Sequence, residues 1–404
     1  MYIHGFGGSW FRHPFWSSKF LLESAEDVAR VRNSSVPYVL IDDALGIAPD
    51  AVRPEWRPAA ATPVHASSRR APSVVEGGFS EERRTSDRRR AQQLVQRSRK
   101  LMKNVFDRAR LGRAVRVAEV IHIVDEISEA VARSPHALFS VTRLKRKDEY
   151  TYLHSVAVCT LMVNVARHLD LDDEMVRDLG LAGLLHDIGK MGIAEEVLNK
   201  PGRLTDEEFA LMKTHPEYGY QLLCAAPDMR DIALDVCRHH HEKMDGTGYP
   251  FGMDGAQISL AARLGAICDV YDALTSDRPY KNAWSPAESV GAMWSWKGHF
   301  DPGLLFSFMR SIGVFPPGML VSLRSNRLGV VTENRRRASR PRICAFYATR
   351  EQCFIAPEIV AIKDSLDGDQ ILAPEMPANW GFTDWETMAL HLRQGNMPPD
   401  SSKP

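Results

Sequence analysis

The chain has 404 residues, 44% of them hydrophobic and 25% charged, with 51 basic side chains balanced by 51 acidic ones. Such a composition suits a globular protein with room for two or three domains, and the zero net charge excludes a global field drawing it to nucleic acid or anionic lipid. Six scattered cysteines with no Cys-x-x-Cys pair exclude a disulfide framework or thiolate zinc site, and no run of about 18 apolar residues or leader-like N-terminus is present, so a cytoplasmic protein with no membrane insertion is expected.

Residues 1–48 read as a small α+β module: Met1-Tyr2-Ile3-His4 alternates like a strand already in progress, a helix is expected over Ala25–Val31, and Val36–Asp42 is a short strand. Beginning inside a strand suggests that the true domain starts earlier. From Pro49 to about Gly78, Pro54, Pro58, Pro63 and Pro72 stand among Ala, Ser and Arg, and 49–80 is expected to be a flexible linker. Connecting helices follow over 81–135. In the first, a charge run passes into Leu94, Val95, Leu101, Met102, Val105 and Phe106, one face of a helix whose arginines lie outward. Without interleaved aromatics this is a solvated face rather than a nucleic-acid patch. The stretch Gln92–Phe106 could also pair with itself in a homodimer.

Helical spacing continues at 115–132, 150–169, 175–185, 206–214, 216–224, 229–239, 260–273 and 286–293. After Val314–Gly318 the pattern becomes alternating, at Met319–Leu323, Leu328–Thr332 and Ile343–Tyr347, which predicts a small β-rich extension over 316–392 and a polar, disordered tail over 393–404. The fold class is therefore mainly α, flanked by a small α+β module and a short β extension.

The chemistry concentrates in two runs, His186-Asp187-Ile188-Gly189-Lys190 and His240-His241-Glu242-Lys243-Met244-Asp245-Gly246-Thr247-Gly248-Tyr249-Pro250. Imidazoles and carboxylates in such density suit Fe, Mn, Ni or Zn rather than Ca or Mg. His154 and His186 lie in strongly apolar runs, where an unpartnered polar group costs about 1–3 kcal/mol, so ligation would satisfy them. His215, Asp269 and Glu149 complete the candidates.

The order of these motifs, with His215-Pro216-Glu217 and the segment from Asp269-Val270-Tyr271-Asp272 to Asp277-Arg278-Pro279-Tyr280-Lys281, resembles the HD-GYP family of bacterial cyclic di-GMP phosphodiesterases over about residues 145–315. Residues 1–135 resemble, through Gly8-Ser9-Trp10-Phe11-Arg12-His13-Pro14-Phe15, an uncharacterised module often fused to such domains. The resemblance implies an all-helical HD-type phosphohydrolase domain over 136–315. It further implies that His154, His186, Asp187, His215, His240, His241 and Asp269 hold two divalent ions, iron or manganese foremost, with Asp187 bridging. A third ion is not expected, because Tyr150 stands where some members carry Glu, and Glu149 lies about 100° around the helix.

The activity implied is hydrolysis of cyclic di-GMP to pGpG, and onward to GMP in some readings, by a metal-bridging hydroxide, with Asp187 and Lys190 catalytic. Lys190, Arg278, Lys281 and Tyr249 would contact substrate, the guanidinium suiting a phosphate or guanine edge. Glu242 could orient a ligating histidine, whereas Asp272 and Asp277 read as helix or turn residues. The Gly-Tyr-Pro loop could shape the site wall or meet a partner such as a diguanylate cyclase. The competing reading is an inactive cyclic-dinucleotide receptor or adaptor that binds diguanylate cyclases.

Overall fold

A computed structural model describes residues 2–6, 20–21, 28, 39–42, 81–142, 150–198, 200, 202–276, 283–332, 341–362 and 369–397. The linker expected over 49–80 and, apart from Val28, the helix expected over 25–31 lie outside them. The chain divides into two units, Met1–Asp87 and Arg88–Pro404.

In the first unit, strands β1 (Tyr2–Phe6), β2 (Phe20–Leu21) and β3 (Val39–Asp42) form an antiparallel sheet in the order β2-β1-β3, with Ile3 opposite Ile41. The alternation at the start of the chain is this central strand.

The second unit begins with α1 (Glu81–Arg110, its first turns belonging to the first unit) and α2 (Val117–Arg133). On α1, Leu94, Val95, Met102, Val105 and Phe106 are buried while Arg88, Arg89 and Arg90 are exposed. Its apolar stripe is thus already covered within the chain, so self-pairing would have to use another face. On α2 the buried stripe is Val117, Val120, Ile123, Val124, Ile127 and Val131, at helical spacing.

Helices α3 (Pro135–Thr142), α4 (Tyr150–His168) and α5 (Asp173–Leu185) follow. Helix α4 is buried without a break from Leu153 to Ala166, and α5 packs along it. Their close approach needs Gly183: a Cβ there would lie 2.7 Å from the Cys159 Cα. Asp172 starts α5 by accepting from the Met175 backbone N–H at 2.8 Å.

Past a 3₁₀ turn at Ile188–Gly192 come α6 (Glu195–Leu198), α7 (Asp206–Met212), α8 (His215–Cys224), α9 (Asp231–His239), α10 (Leu260–Thr275), α11 (Pro286–Ser295) and α12 (Pro302–Ile312). Thr205 and Glu208 form a capping box at the start of α7, as Ser285 and Glu288 do at α11. Helix α10 is buried on nearly every side, so Asp269 and Asp272, three apart on one face, point into protein.

The extension is a five-stranded antiparallel sheet of β4 (Leu320–Leu323), β5 (Arg327–Thr332), β6 (Arg342–Ala348), β7 (Cys353–Ala361) and β8 (Ile371–Pro374), in the order β7-β6-β5-β4-β8. Its first three strands match the alternation; the two outer strands and the closing helix α13 (Trp385–Arg393) do not announce themselves in the sequence. Leu328, Val330, Phe346, Phe382 and Leu392 make its core. Helix α13 runs to Arg393, the residue at which composition predicts a polar tail to begin. Among the described residues no helix is long and apolar enough to cross a membrane.

Candidate metal centre

Seven side chains expected as ligands converge from five parts of the helical domain. They form two groups, Asp187 with His215, His240 and His241, and His154 with His186 and Asp269, the donor atoms within each lying no more than 4.8 Å apart. Asp187 faces both groups with different oxygens. Its Oδ2 is 3.5 Å from His154 Nε2 and 3.3 Å from His186 Nε2, while its Oδ1 is 3.4 Å from His215 Nε2 and 3.7 Å from His240 Nε2.

Local structure sets these positions. Helix α5 ends at Leu185, so His186 and Asp187 emerge from its last turn into the 3₁₀ turn, which folds against the start of α8. Gly189 permits that contact, because a Cβ would overlap the His215 carbonyl and the Gly219 backbone. His215 begins α8, and His240 and His241 follow the end of α9.

The hydrogen bonds fix the imidazole tautomers. His186 Nδ1 faces the Gly183 carbonyl at 2.9 Å, His215 Nδ1 the Met212 carbonyl at 2.8 Å, and His240 Nδ1 the Val236 carbonyl at 3.0 Å. A carbonyl oxygen only accepts, so each Nδ1 carries the hydrogen, and in the neutral ring each Nε2 presents a lone pair. The Nε2 atoms of His215 and His240 then stand 3.5 Å apart with no hydrogen to share. His186 Nε2 and Asp187 Oδ1 are buried without any hydrogen-bond partner. Bare lone pairs facing one another in a buried site are costly unless a cation lies among them, and the donor set fits a divalent metal.

Electrostatics point the same way for His240 and His241. At His154 burial is outweighed by the hydrogen bonds to Asp269 and Asp272, which raise it and hold a proton that metal binding would release. Burial, then the neighbouring His186 and His215, hold His240 down to about 3, and burial followed by His240 holds His241 well below its ordinary value. Both rings stay neutral, as ligation requires. Burial would raise Asp187, but Lys190 and His186 outweigh it and keep the carboxylate well below its usual range. Burial likewise opposes ionisation of Asp269, and the hydrogen bond from His154 overrides it.

Lys190 donates to Asp187 Oδ2 at 2.5 Å and keeps 22% of its side chain exposed. His241 is the most open candidate ligand, at 20%, against 0–3% for the other four histidines. The site therefore opens to solvent beside His241 and Lys190. Tyr249 stacks on His241 with ring centroids 4.6 Å apart, and burial, followed by Asp269 and Asp187, raises its phenol so that it stays protonated.

Two neighbours behave differently from their sequence reading. Asp272, expected as a plain helix residue, accepts from His154 Nδ1 at 2.6 Å while His154 Nε2 meets Asp269 Oδ1 at 2.9 Å. One imidazole thus spans two carboxylates of α10, and Asp272 orients it. The Asp-x-x-Asp spacing was the available signal. Glu242 does not orient a histidine; its Oε1 accepts from the Phe251 N–H at 2.7 Å and its Oε2 from the Met253 N–H at 3.0 Å. The loop after Tyr249 offers unpaired N–H donors and the buried carboxylate satisfies them. Glu149, Arg278 and Lys281 lie outside the described residues, and Tyr150 opens α4.

The fold and donor set define a helical metal-dependent hydrolase site. A family described as "HD domain" matches residues 125–304, and "Domain of unknown function (DUF3391)" matches residues 1–120. The cyclic di-GMP phosphodiesterase PA4108 of Pseudomonas aeruginosa is 44% identical over 390 residues, 96% of this chain and 92% of that protein. The cyclic di-GMP phosphodiesterase response regulator RpfG of Xanthomonas campestris is 39% identical over 177 residues, 42% of this chain and 47% of that protein. A 3'3'-cGAMP-specific phosphodiesterase 1 of Vibrio cholerae is 37% identical over 160 residues, 39% of this chain and 36% of that protein. The chain belongs to the HD-GYP family, with a DUF3391 module at its N-terminus. Family and donor set together make this a divalent-metal site.

Proposed function

We propose that this protein is a phosphodiesterase that opens cyclic di-GMP to pGpG, with GMP as a further product, lowering the second messenger in the bacterial cytoplasm. The observation that carries the reading is Asp187, whose two oxygens each face one group of buried donors. In this account Asp187, His154, His186 and Asp269 hold one ion and Asp187, His215, His240 and His241 a second, with iron or manganese favoured by the mixed N/O donors. Bound there, the pair supplies Lewis-acid activation of water and of the phosphodiester.

The chain's own residues do the rest. Water adds to phosphorus, the bond to the ribose 3′ oxygen breaks, and that oxygen leaves with a proton. Lys190, at the open edge of the site, places a positive charge where the phosphoryl oxygens gain negative charge. Buried Asp272 keeps His154 Nε2 aimed inward, and Tyr249 covers His241. Arg278 and Lys281 supply further contacts to phosphate or guanine. Near-full-length similarity to a cyclic di-GMP phosphodiesterase supports the substrate. The Gly-Tyr-Pro loop, partly exposed, is also a candidate contact for diguanylate cyclases.

The test is chromatography of manganese-loaded protein incubated with cyclic di-GMP and, separately, with 3′3′-cGAMP. Conversion of cyclic di-GMP to pGpG, lost in Asp187→Ala, is expected. Binding without conversion would favour a receptor, and preferential turnover of 3′3′-cGAMP would reassign the substrate.

A further inference from the structure

An aromatic series runs from His241 of the metal centre through Tyr249 to Phe209, its most exposed member. His241 carries Tyr249 on its face, and Tyr249 meets Phe209 of α7 edge-on, with centroids 6.5 Å apart. Tyr249 is largely covered, but Phe209 keeps 46% of its surface exposed. Lys213, one turn along, places its ammonium over the ring face, 4.7 Å from the centroid, so a base stacking on that face would move the flexible lysine to the base edge.

Resting on the reading of the site as a cyclic-dinucleotide phosphodiesterase, we propose that Phe209 is a stacking platform for a purine base of the substrate. A phosphodiester held at the metal centre leaves its base to project through the open side beside His241, and Phe209, nearly half exposed, stands two ring contacts from that histidine. Stacking uses the π-face that every base offers, while the Lys213 ammonium suits the O6 and N7 acceptors on a guanine edge. The residue touches the base and not the reacting phosphorus, so it contributes to binding and selectivity rather than to the chemical step. Nothing in the sequence marks Phe209, because its partner Tyr249 is 40 residues away and lies in a loop.

The experiment compares steady-state kinetics of manganese-loaded wild type, Phe209→Ala, Phe209→Leu and Phe209→Trp on cyclic di-GMP, with calorimetric binding of the same dinucleotide as a second readout. Loss of one stacked base predicts KM and Kd raised about tenfold in Phe209→Ala, with kcat changed less than twofold. Phe209→Trp restores binding and Phe209→Leu does not, a pattern that a role in packing α7 would not produce. Wild-type values in both Phe209→Ala and Phe209→Leu would overturn the stacking role while leaving the phosphodiesterase intact. A wild type that binds but does not turn over cyclic di-GMP would contradict the activity, and calorimetry on the variants would still decide the stacking. A wild type that neither binds nor converts it would remove both.

Discussion

The helical domain and the β extension both bury apolar side chains, but among the described residues only the helical domain adds a buried cluster of ionisable ones. In the extension, Leu328, Val330, Phe346, Phe382 and Leu392 pack without a charged group among them, and Trp385 donates its Nε1–H to the Gly318 carbonyl. In the helical domain His154, His186, Asp187, His215, His240, Asp269 and Asp272 are all buried, two with polar atoms left unpartnered. An apolar core is complete when packed, whereas a core of bare lone pairs is complete only with a cation. The contrast teaches that stability and activity are separable here: the extension should respond to lost volume, the helical domain to lost charge and lost metal.

The sharpest way to break that separation is a pair of substitutions. Asp187→Ala removes the carboxylate shared by both groups and should lower kcat/KM on cyclic di-GMP by at least about a thousandfold, more than 4 kcal/mol. Fully buried Phe346→Ala should cost about 3–5 kcal/mol of stability by denaturant titration while leaving kcat per folded molecule unchanged. A catalytic loss in Phe346→Ala would show that the regions are not independent.

A smaller effect is expected at Asp272. Asp272→Asn keeps the shape but weakens the hold on His154 Nδ1, and should lower manganese affinity or activity by about 10- to 100-fold. Unchanged metal affinity would leave Asp272 a helix residue, as its sequence suggests.

The smallest concerns pH. Burial, followed by Lys243, pushes His299 down to about 4 from 6.5. Its folded value lies below its unfolded value, so the unfolded chain takes up the proton first as pH falls. The contribution is fully present above about pH 6.5 and is lost toward pH 4, on the order of 1 kcal/mol after allowing for solvent screening. His299→Gln should flatten that part of the stability profile, measured by thermal melting of the metal-loaded protein; an unchanged slope would contradict it.

Much of the centre was legible because ligation demands particular residue types at motif positions, and all seven expected ligands meet in the structure. Asp272 was not, because a carboxylate one helical turn from another is also what an ordinary helix shows. Glu242 was misjudged because sequence neighbours suggest a bond to His240 or His241, while its true acceptor role is to N–H groups 9 and 11 residues on. Most helices of the middle region were readable from their apolar spacing, but α3, α6 and α12 were not. Strand β7 was not: it lies at the edge of the sheet, contains Pro357, and shifts register against β6 between Ala345 and Tyr347, so its alternation is blurred. Helix α13 is short, with Leu390 left exposed among its apolar residues.

The central claim is that one carboxylate joins two metal positions. Titrating metal-free wild type and Asp187→Asn with Mn²⁺, and counting ions bound per chain, tests it most directly. Two ions in the wild type, with loss of at least one in Asp187→Asn while thermal melting shows the variant folded, is the predicted result. A single ion in the wild type, or two held with unchanged affinity after the substitution, would contradict the account.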